Sequence, residues 1–173
     1  MKSSALFSIS VLAIASLCIS FSLGQEEENE TGIPFGIIIF ASDMDGDYEL
    51  YALQTDAGNL IQLTDNDYDD LYPSWRSDGG EILFSSNRSG IFDIYRMPLD
   101  GSEESLVHAS DGDDVSARYA PDGSSIVFTS NVDGDNEIFI TDLSGSEVTQ
   151  LSFNDVDDSN PMISPAGDQI VFS

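Results

Sequence analysis

Three observations in the sequence predict an all-β fold, a β-propeller of four-stranded blades that is incomplete at about three blades. The first is a phrase that recurs as Ile38-Ile39-Phe40-Ala41-Ser42, Ile82-Leu83-Phe84-Ser85-Ser86 and Ile126-Val127-Phe128-Thr129-Ser130, and begins again at Ile170-Val171-Phe172-Ser173. The second is its constant spacing of 44 residues, with Gly46, Gly90 and Gly134 in step, and Trp75, Tyr119 and Ile163 likewise. The third is a glycine turn at the close of each copy, at Gly79, Gly123 and Gly167. A fixed period of about 40–45 residues made of short strands marks a propeller blade.

Each element follows from its residues. The repeats run 38–81, 82–125 and 126–169, and a fourth starts at 170. The apolar run of each copy, such as Ile82 to Ser86, shows no clean alternation and reads as a strand covered on both faces. A glycine-bearing turn, Asn87 to Gly90, leads to a second strand. There Phe92, Ile94 and Arg96 alternate with Asp93, Tyr95 and Met97. Asp100-Gly101 and Ser144-Gly145 supply the next hairpin turn. A short polar third strand follows, for example Val148 to Ser152. An acidic loop then leads to an innermost strand, Tyr72 to Arg76 or Asn160 to Ser164. Ser77-Asp78-Gly79-Gly80 and Pro121-Asp122-Gly123-Ser124 turn the chain into the next copy. A unit this small buries too little apolar surface alone, so its faces must pack on neighbouring blades.

Residues 1–24 read as a secretory signal peptide: Lys2 gives the charged start, Ala5 to Phe21 the apolar core, and Ser22-Leu23-Gly24 a cleavage site before Gln25. Cys18 leaves with it, so the exported domain is expected to use neither disulfides nor thiol chemistry. Residues 25–35 form an acidic linker, and the propeller occupies 36–173. The formal net charge is −27. Without Lys2, four arginines face 32 acidic residues. Such a surface repels phosphate backbones and anionic lipid, which argues against nucleic acid and membrane surfaces as partners. After cleavage no membrane insertion is expected, and the location implied is periplasmic or extracellular.

Several phrases carry a family resemblance. Pro73-Ser74-Trp75-Arg76-Ser77-Asp78-Gly79 matches a Pro-x-Trp-Ser-Pro-Asp-Gly turn with two substitutions. Ser86-Asn87-Arg88-Ser89-Gly90, Glu49-Leu50-Tyr51, Glu137-Ile138-Phe139 and Gln62-Leu63-Thr64 complete the set. Together they resemble the propeller repeat of the TolB family, a WD-repeat-like group of exported bacterial proteins, over about residues 36–173. The resemblance implies a binding scaffold in the cell envelope. TolB itself joins an α/β domain to a six-bladed propeller. Only a short linker precedes the repeats here, so a TolB-like protein rather than TolB proper is expected. Three periods and one strand cannot close a ring of the usual 4–8 blades. The sequence is therefore expected to be the front of a longer protein. The first copy lacks an innermost strand, which the C-terminus of a complete protein would supply.

Two groups of acids are candidate sites. Asp43, Asp45 and Asp47, with Asp133 and Asp135, sit in loops that resemble the start of a calcium loop. However, position six is Tyr48 or Asn136 where an EF-hand needs glycine, and position twelve is Gln54 or Asp142. The middle copy has Arg88-Ser89-Gly90-Ile91. Turn chemistry is what all three copies share, so no cofactor is expected, and calcium is the alternative. Asp69-Asp70, Asp113-Asp114 and Asp157-Asp158 recur before the innermost strand. They form a candidate acidic rim for a protein or peptide partner, with basic character favoured, against the alternative of solvated loops with Asx turns. His108, the one histidine, falls at the end of an outer strand and reads as a surface residue. Trp75, Tyr119 and Ile163 read as core. Arg76, Arg88, Arg96 and Arg118 form no basic stripe. No nucleophile–base–orienter set can be assembled.

The function expected is non-catalytic partner binding. One alternative is the N-terminal propeller of a prolyl-oligopeptidase-type serine hydrolase, its Gly-x-Ser-x-Gly turn lying beyond Ser173. Another is a carbohydrate- or surface-binding propeller of a larger secreted protein.

Overall fold

The computed structural model describes residues 20–21, 36–44 and 46–173. The described chain contains strands and turns without helix. The first sheet runs in order through β1 (Ser20–Phe21), β2 (Ile37–Ser42), β3 (Glu49–Gln54) and β4 (Asn59–Gln62). The second holds β5 (Asp70–Trp75), β6 (Glu81–Ser86), β7 (Asp93–Pro98) and β8 (Ser105–His108). The third holds β9 (Asp114–Tyr119), β10 (Ser125–Ser130), β11 (Glu137–Asp142) and β12 (Thr149–Gln150). A two-stranded sheet of β13 (Met162–Ile163) and β14 (Ile170–Val171) follows. All pairs are antiparallel, and equivalent strands keep the 44-residue offset: Phe84 faces Tyr95, and Phe128 faces Phe139. The architecture is an open β-propeller.

Turn chemistry sets these boundaries. Gly79, Gly123 and Gly167 have φ of 72°, 70° and 77°, a left-handed conformation that costs other residues energy. Asp78 and Asp122 close the same turns by accepting from the backbone N–H of Gly80 and Ser124 at 3.0 and 2.9 Å, the usual Asx-turn bond.

The core lies between the sheets. Ile39, Leu50 and Ala52 of the first blade pack on Ile82, Phe84 and Met97 of the second. Leu83, Ile94 and Val107 pack on Ala117, Tyr119, Ile126, Phe128 and Phe139 of the third. Ile82 and Leu83, adjacent on β6, thus enter two different cores. Each fully buried side chain of this size contributes about 1.5–3 kcal/mol. Tyr119 is buried as core and Trp75 packs partly buried beside the first cluster. Ile163 is half-buried, since only two strands stand at its position. Val127 is fully buried, whereas Val171, 44 residues on, is 67% exposed.

Three details differ from the sequence reading. β7 does not alternate: Asp93, Ile94 and Met97 are buried while Tyr95 and Arg96 are half-buried, because sheets cover both of its faces. The outer and inner strands of the last copy are two residues each. The place expected to lack an innermost strand is taken by β1, where Ser20 and Phe21 pair with Ile39 and Ile38. The edge that β2 would otherwise leave unpaired is a ready template for an extended segment. The rest of the expected leader, and the linker at 25–35, lie outside the described residues.

A latch recurs on the outer side of the blades. A Cβ on Gly145 would fall 1.8 Å from the Val107 carbonyl oxygen, and one on Gly101 would fall 3.0 Å from that of Leu63. The turns of the second and third blades therefore rest on the end of the outer strand of the blade before, one repeat apart in both cases. Gly167 has a similar φ with open space around it. Gly145→Ala should lower unfolding free energy by about 2–4 kcal/mol, and Gly167→Ala by about 1–2 kcal/mol from backbone conformation alone. Urea midpoints at a shared m-value measure the difference.

Candidate functional site at the acidic loop face

The loops at one end of the sheets carry most of the sequence-predicted acids, and the structure divides them into two roles. The first role is structural. Asp69 Oδ1 accepts from the Tyr48 N–H at 3.2 Å, and the Asp70 N–H donates to the Tyr48 carbonyl at 2.6 Å. One repeat on, Phe92 N–H donates to Asp113 Oδ1 at 3.0 Å and Asp114 N–H donates to Phe92 O at 2.7 Å. One further, Asn136 N–H donates to Asp157 Oδ1 at 2.9 Å and Asp158 N–H donates to Asn136 O at 2.6 Å. The N–H groups of Asp69 and Asp113 in turn donate to Asn87 Oδ1 and Asn131 Oδ1, at 2.9 and 2.7 Å. The first two Asp–Asp pairs thus staple a hairpin of one blade to the inner strand and hairpin of the next.

The second member of each pair is not a rim residue. Asp70 and Asp114 are fully buried and Asp158 nearly so. Asp70 takes Asn66 Nδ2 at 2.9 Å, and Asp158 takes Asn154 Nδ2 at 2.7 Å. Asp69 and Asp113 are half-buried, and only Asp157 is exposed. The outward acids of the same loops are Asp67, Asp111 and Asp155, which also recur at 44 residues. Their spacing was visible in sequence, but the doubled aspartates beside them drew the eye.

The calcium-loop candidates form turns. Gly46 N–H donates to Asp43 O, Gly90 N–H to Asn87 O and Gly134 N–H to Asn131 O, at 3.3, 2.8 and 3.0 Å. Asp43 and Asp133 are exposed, Asp47 and Asp135 are half-buried, and Asp45 lies outside the described residues. Asp133 Oδ2 accepts from Gln150 Nε2 at 2.7 Å. Local desolvation, then the like charges of Glu137, Asp133 and Asp157, push the Asp135 carboxyl above the usual range. Among the described residues, no group of three or more His, Cys, Asp or Glu side chains is gathered to hold a metal ion.

Sequence reasoning missed two features. Glu49, Asp93 and Glu137 are buried acids one repeat apart. Burial pushes the Glu49 carboxyl up, and the charges of Asp70 and Asp47 add to this, against hydrogen bonds from Thr64 and Asn66. The other feature is backbone: Tyr72, Ser116 and Asn160 have φ of 55°, 56° and 54°. They share a register and no side-chain chemistry, so only the repeat could have linked them. A register shift between Leu71 and Ser74 accompanies the first, as a β-bulge that re-aims the inner strand.

Two basic side chains meet this acid layer from below. Arg88 lies with its guanidinium 4.4 Å from the Tyr95 ring centroid and 5.7 Å from that of Phe84, with Nη2 3.3 Å from Asp70 Oδ1 and Nη1 paired to Glu104. His108 corrects the sequence reading: its side chain is 15% exposed, not a surface group. Nε2 stands 3.8 Å from Asp114 Oδ2, Nδ1 stands 3.2 Å from Gly145 O, and the ring lies 5.1 Å from that of Phe128. The place at the end of the outer strand that looked peripheral is covered by the next blade.

No protein-family model and no curated sequence matches the chain. Solved structures do. A putative TolB from Agrobacterium tumefaciens is 28% identical with a TM-score of 0.73, over 79% of this chain and 49% of that one. TolB from Acinetobacter baumannii is 26% identical with a TM-score of 0.71, over 79% of this chain and 34% of that one. A puromycin hydrolase at 15% identity and a TM-score of 0.63, over 79% of this chain and 23% of that one, shares the fold. This chain spans about half the length of the first of these structures.

Two outcomes follow from these acids. Asp113→Ala leaves the Phe92 N–H without its acceptor and should cost about 1–3 kcal/mol, while Asp113→Asn keeps an oxygen there and should cost less. Because folding raises the Glu49 pKa, the folded state binds more protons, so this contribution is complete below the unfolded glutamate value and lost as pH rises through the folded one. Wild type should therefore lose stability relative to Glu49→Gln, which mimics the protonated carboxyl, as pH rises from 4 towards neutrality, as urea titrations across that range would show.

Proposed function

We propose, starting from the premise that this chain is a TolB-like β-propeller, that it is a non-catalytic exported scaffold which captures a basic protein or peptide on its acidic loop face. The observation that carries this is the outward set Asp67, Asp111 and Asp155, one per loop, at the same end of successive blades. These carboxylates are held on a rigid frame by the Asp69 and Asp113 staples beneath them. A surface lined by one sign of charge steers oppositely charged partners and sets specificity more than raw affinity. Loops on a stiff ring are where binding function resides in such scaffolds. The apolar, weakly charged opening of the sequence supports export to the envelope or beyond.

Binding of a fluorescent oligo-arginine peptide tests the reading. Three exposed ion pairs at about 0.5 kcal/mol each amount to roughly a tenfold loss of affinity in the Asp67→Asn/Asp111→Asn/Asp155→Asn variant. Affinity should also fall steeply with added salt. Replacing Asp56, Asp100 and Asp122, which lie in turns at the other end of the sheets, removes the same charge and should leave affinity within about twofold. Equal losses in the two variants would reduce the effect to net charge and end the proposal.

A further inference from the structure

The second and third blades hold the same seat with different cations. In the second, Arg88 sits on the Phe84–Tyr95 ring pair against buried Asp70. One repeat on, the ring pair is Phe128–Phe139, with centroids 5.6 Å apart, and the buried acid is Asp114. The position of Arg88 is there occupied by Val132. The cation comes instead from the neighbouring blade, as His108 on β8, whose ring lies on Phe128 and faces Asp114. At the equivalent places Thr64 and Ser152 accept from the N–H of Leu50 and Ile138 within their own blades, at 2.8 and 2.9 Å. His108 reaches across the interface.

We propose that His108 and Asp114 form a proton-operated clasp between the second and third blades, closed when a proton lies between Nε2 and Asp114 Oδ2 and released when that proton is lost. The geometry sets the sense. Because the Gly145 carbonyl can only accept, Nδ1 donates to it and carries a proton. In a neutral imidazole, Nε2 then presents a lone pair to Asp114 Oδ2, an oxygen with no hydrogen-bond partner among the described residues. A proton on Nε2 converts that opposition into an N–H⁺ facing a carboxylate. Losing it leaves an uncompensated charge in a dry interface, which is strongly unfavourable. The charged groups acting here are Asp114 on β9 and, behind it, Asp93 on β7. Ser110 donates to Asp114 Oδ1 at 3.0 Å, β10 contributes the Phe128 ring, and the β11–β12 turn contributes the Gly145 carbonyl. That turn lies on the Val107 main chain beside His108, so loosening the clasp loosens the latch. Burial pushes the Asp114 carboxyl up, against Ser130, His108 and Ser110. Histidine titrates between pH 5 and 8, above ordinary carboxylates.

The full chain has one histidine, so its ring nitrogens give unambiguous NMR signals. Amide exchange of residues 107–113 and 143–146 should slow about tenfold as pH falls from 8 to 5.5, after correction for intrinsic rates and in step with imidazole protonation. His108→Gln should abolish this pH response, and His108→Arg should give slow exchange at every pH, as a fixed cation does. In Asp114→Asn, imidazole protonation should proceed without the change in exchange. Identical pH responses in wild type and His108→Gln, or an exchange change that persists in Asp114→Asn, would overturn the clasp. If His108→Arg fails to fold, the wild-type and Asp114→Asn comparison decides alone.

Discussion

A sheet with two apolar faces cannot cover itself, and that constraint organises this chain. Ile82 and Leu83 are neighbours in sequence, yet one enters the core shared with the preceding blade and the other the core shared with the next. The second blade is therefore half of two cores, and its stability belongs to its interfaces more than to itself. The exposed Val171 beside the buried Val127 shows the same side-chain position with and without a neighbour.

Those interfaces explain how so acidic a chain folds. Its carboxylates are divided by depth. Asp69 and Asp113 accept backbone N–H groups across the junctions, satisfying donors that no strand pairs. Deeper, Asp70 faces the Arg88 guanidinium lying over the Phe84 and Tyr95 rings, and Asp114 faces the His108 imidazole lying on Phe128. Only the outermost acids, such as Asp67 and Asp111, are left to water or to a partner. Charge near the interior acts as structure, and charge at the loop tips is the part proposed to meet a partner.

The architecture was legible because a 44-residue repeat needs no chemistry to be seen, and turns at Gly79, Gly123 and Gly167 announce themselves through the one residue suited to positive φ. The candidate site was legible only in part. The doubled aspartates were found, but their burial depends on the preceding hairpin, which lies about 21 residues upstream and is invisible to local pattern. Tyr72, Ser116 and Asn160 share a backbone state without sharing a side-chain type, so composition could not flag them. His108 looked peripheral because the end of an outer strand is exposed within one blade. It becomes interior once Gly145 and Phe128 of the next blade arrive.

The repetition of the outer latch has an evolutionary reading. Leu63 meets Gly101 as Val107 meets Gly145, so the tail of the first blade offers the third the same seat that the second blade does. A deletion joining Glu81 directly to Ile126 would bring these matched surfaces together with the strand order and every turn preserved. Unequal crossing-over between copies of the repeat would then lengthen or shorten such a gene by whole blades without passing through an unfoldable intermediate.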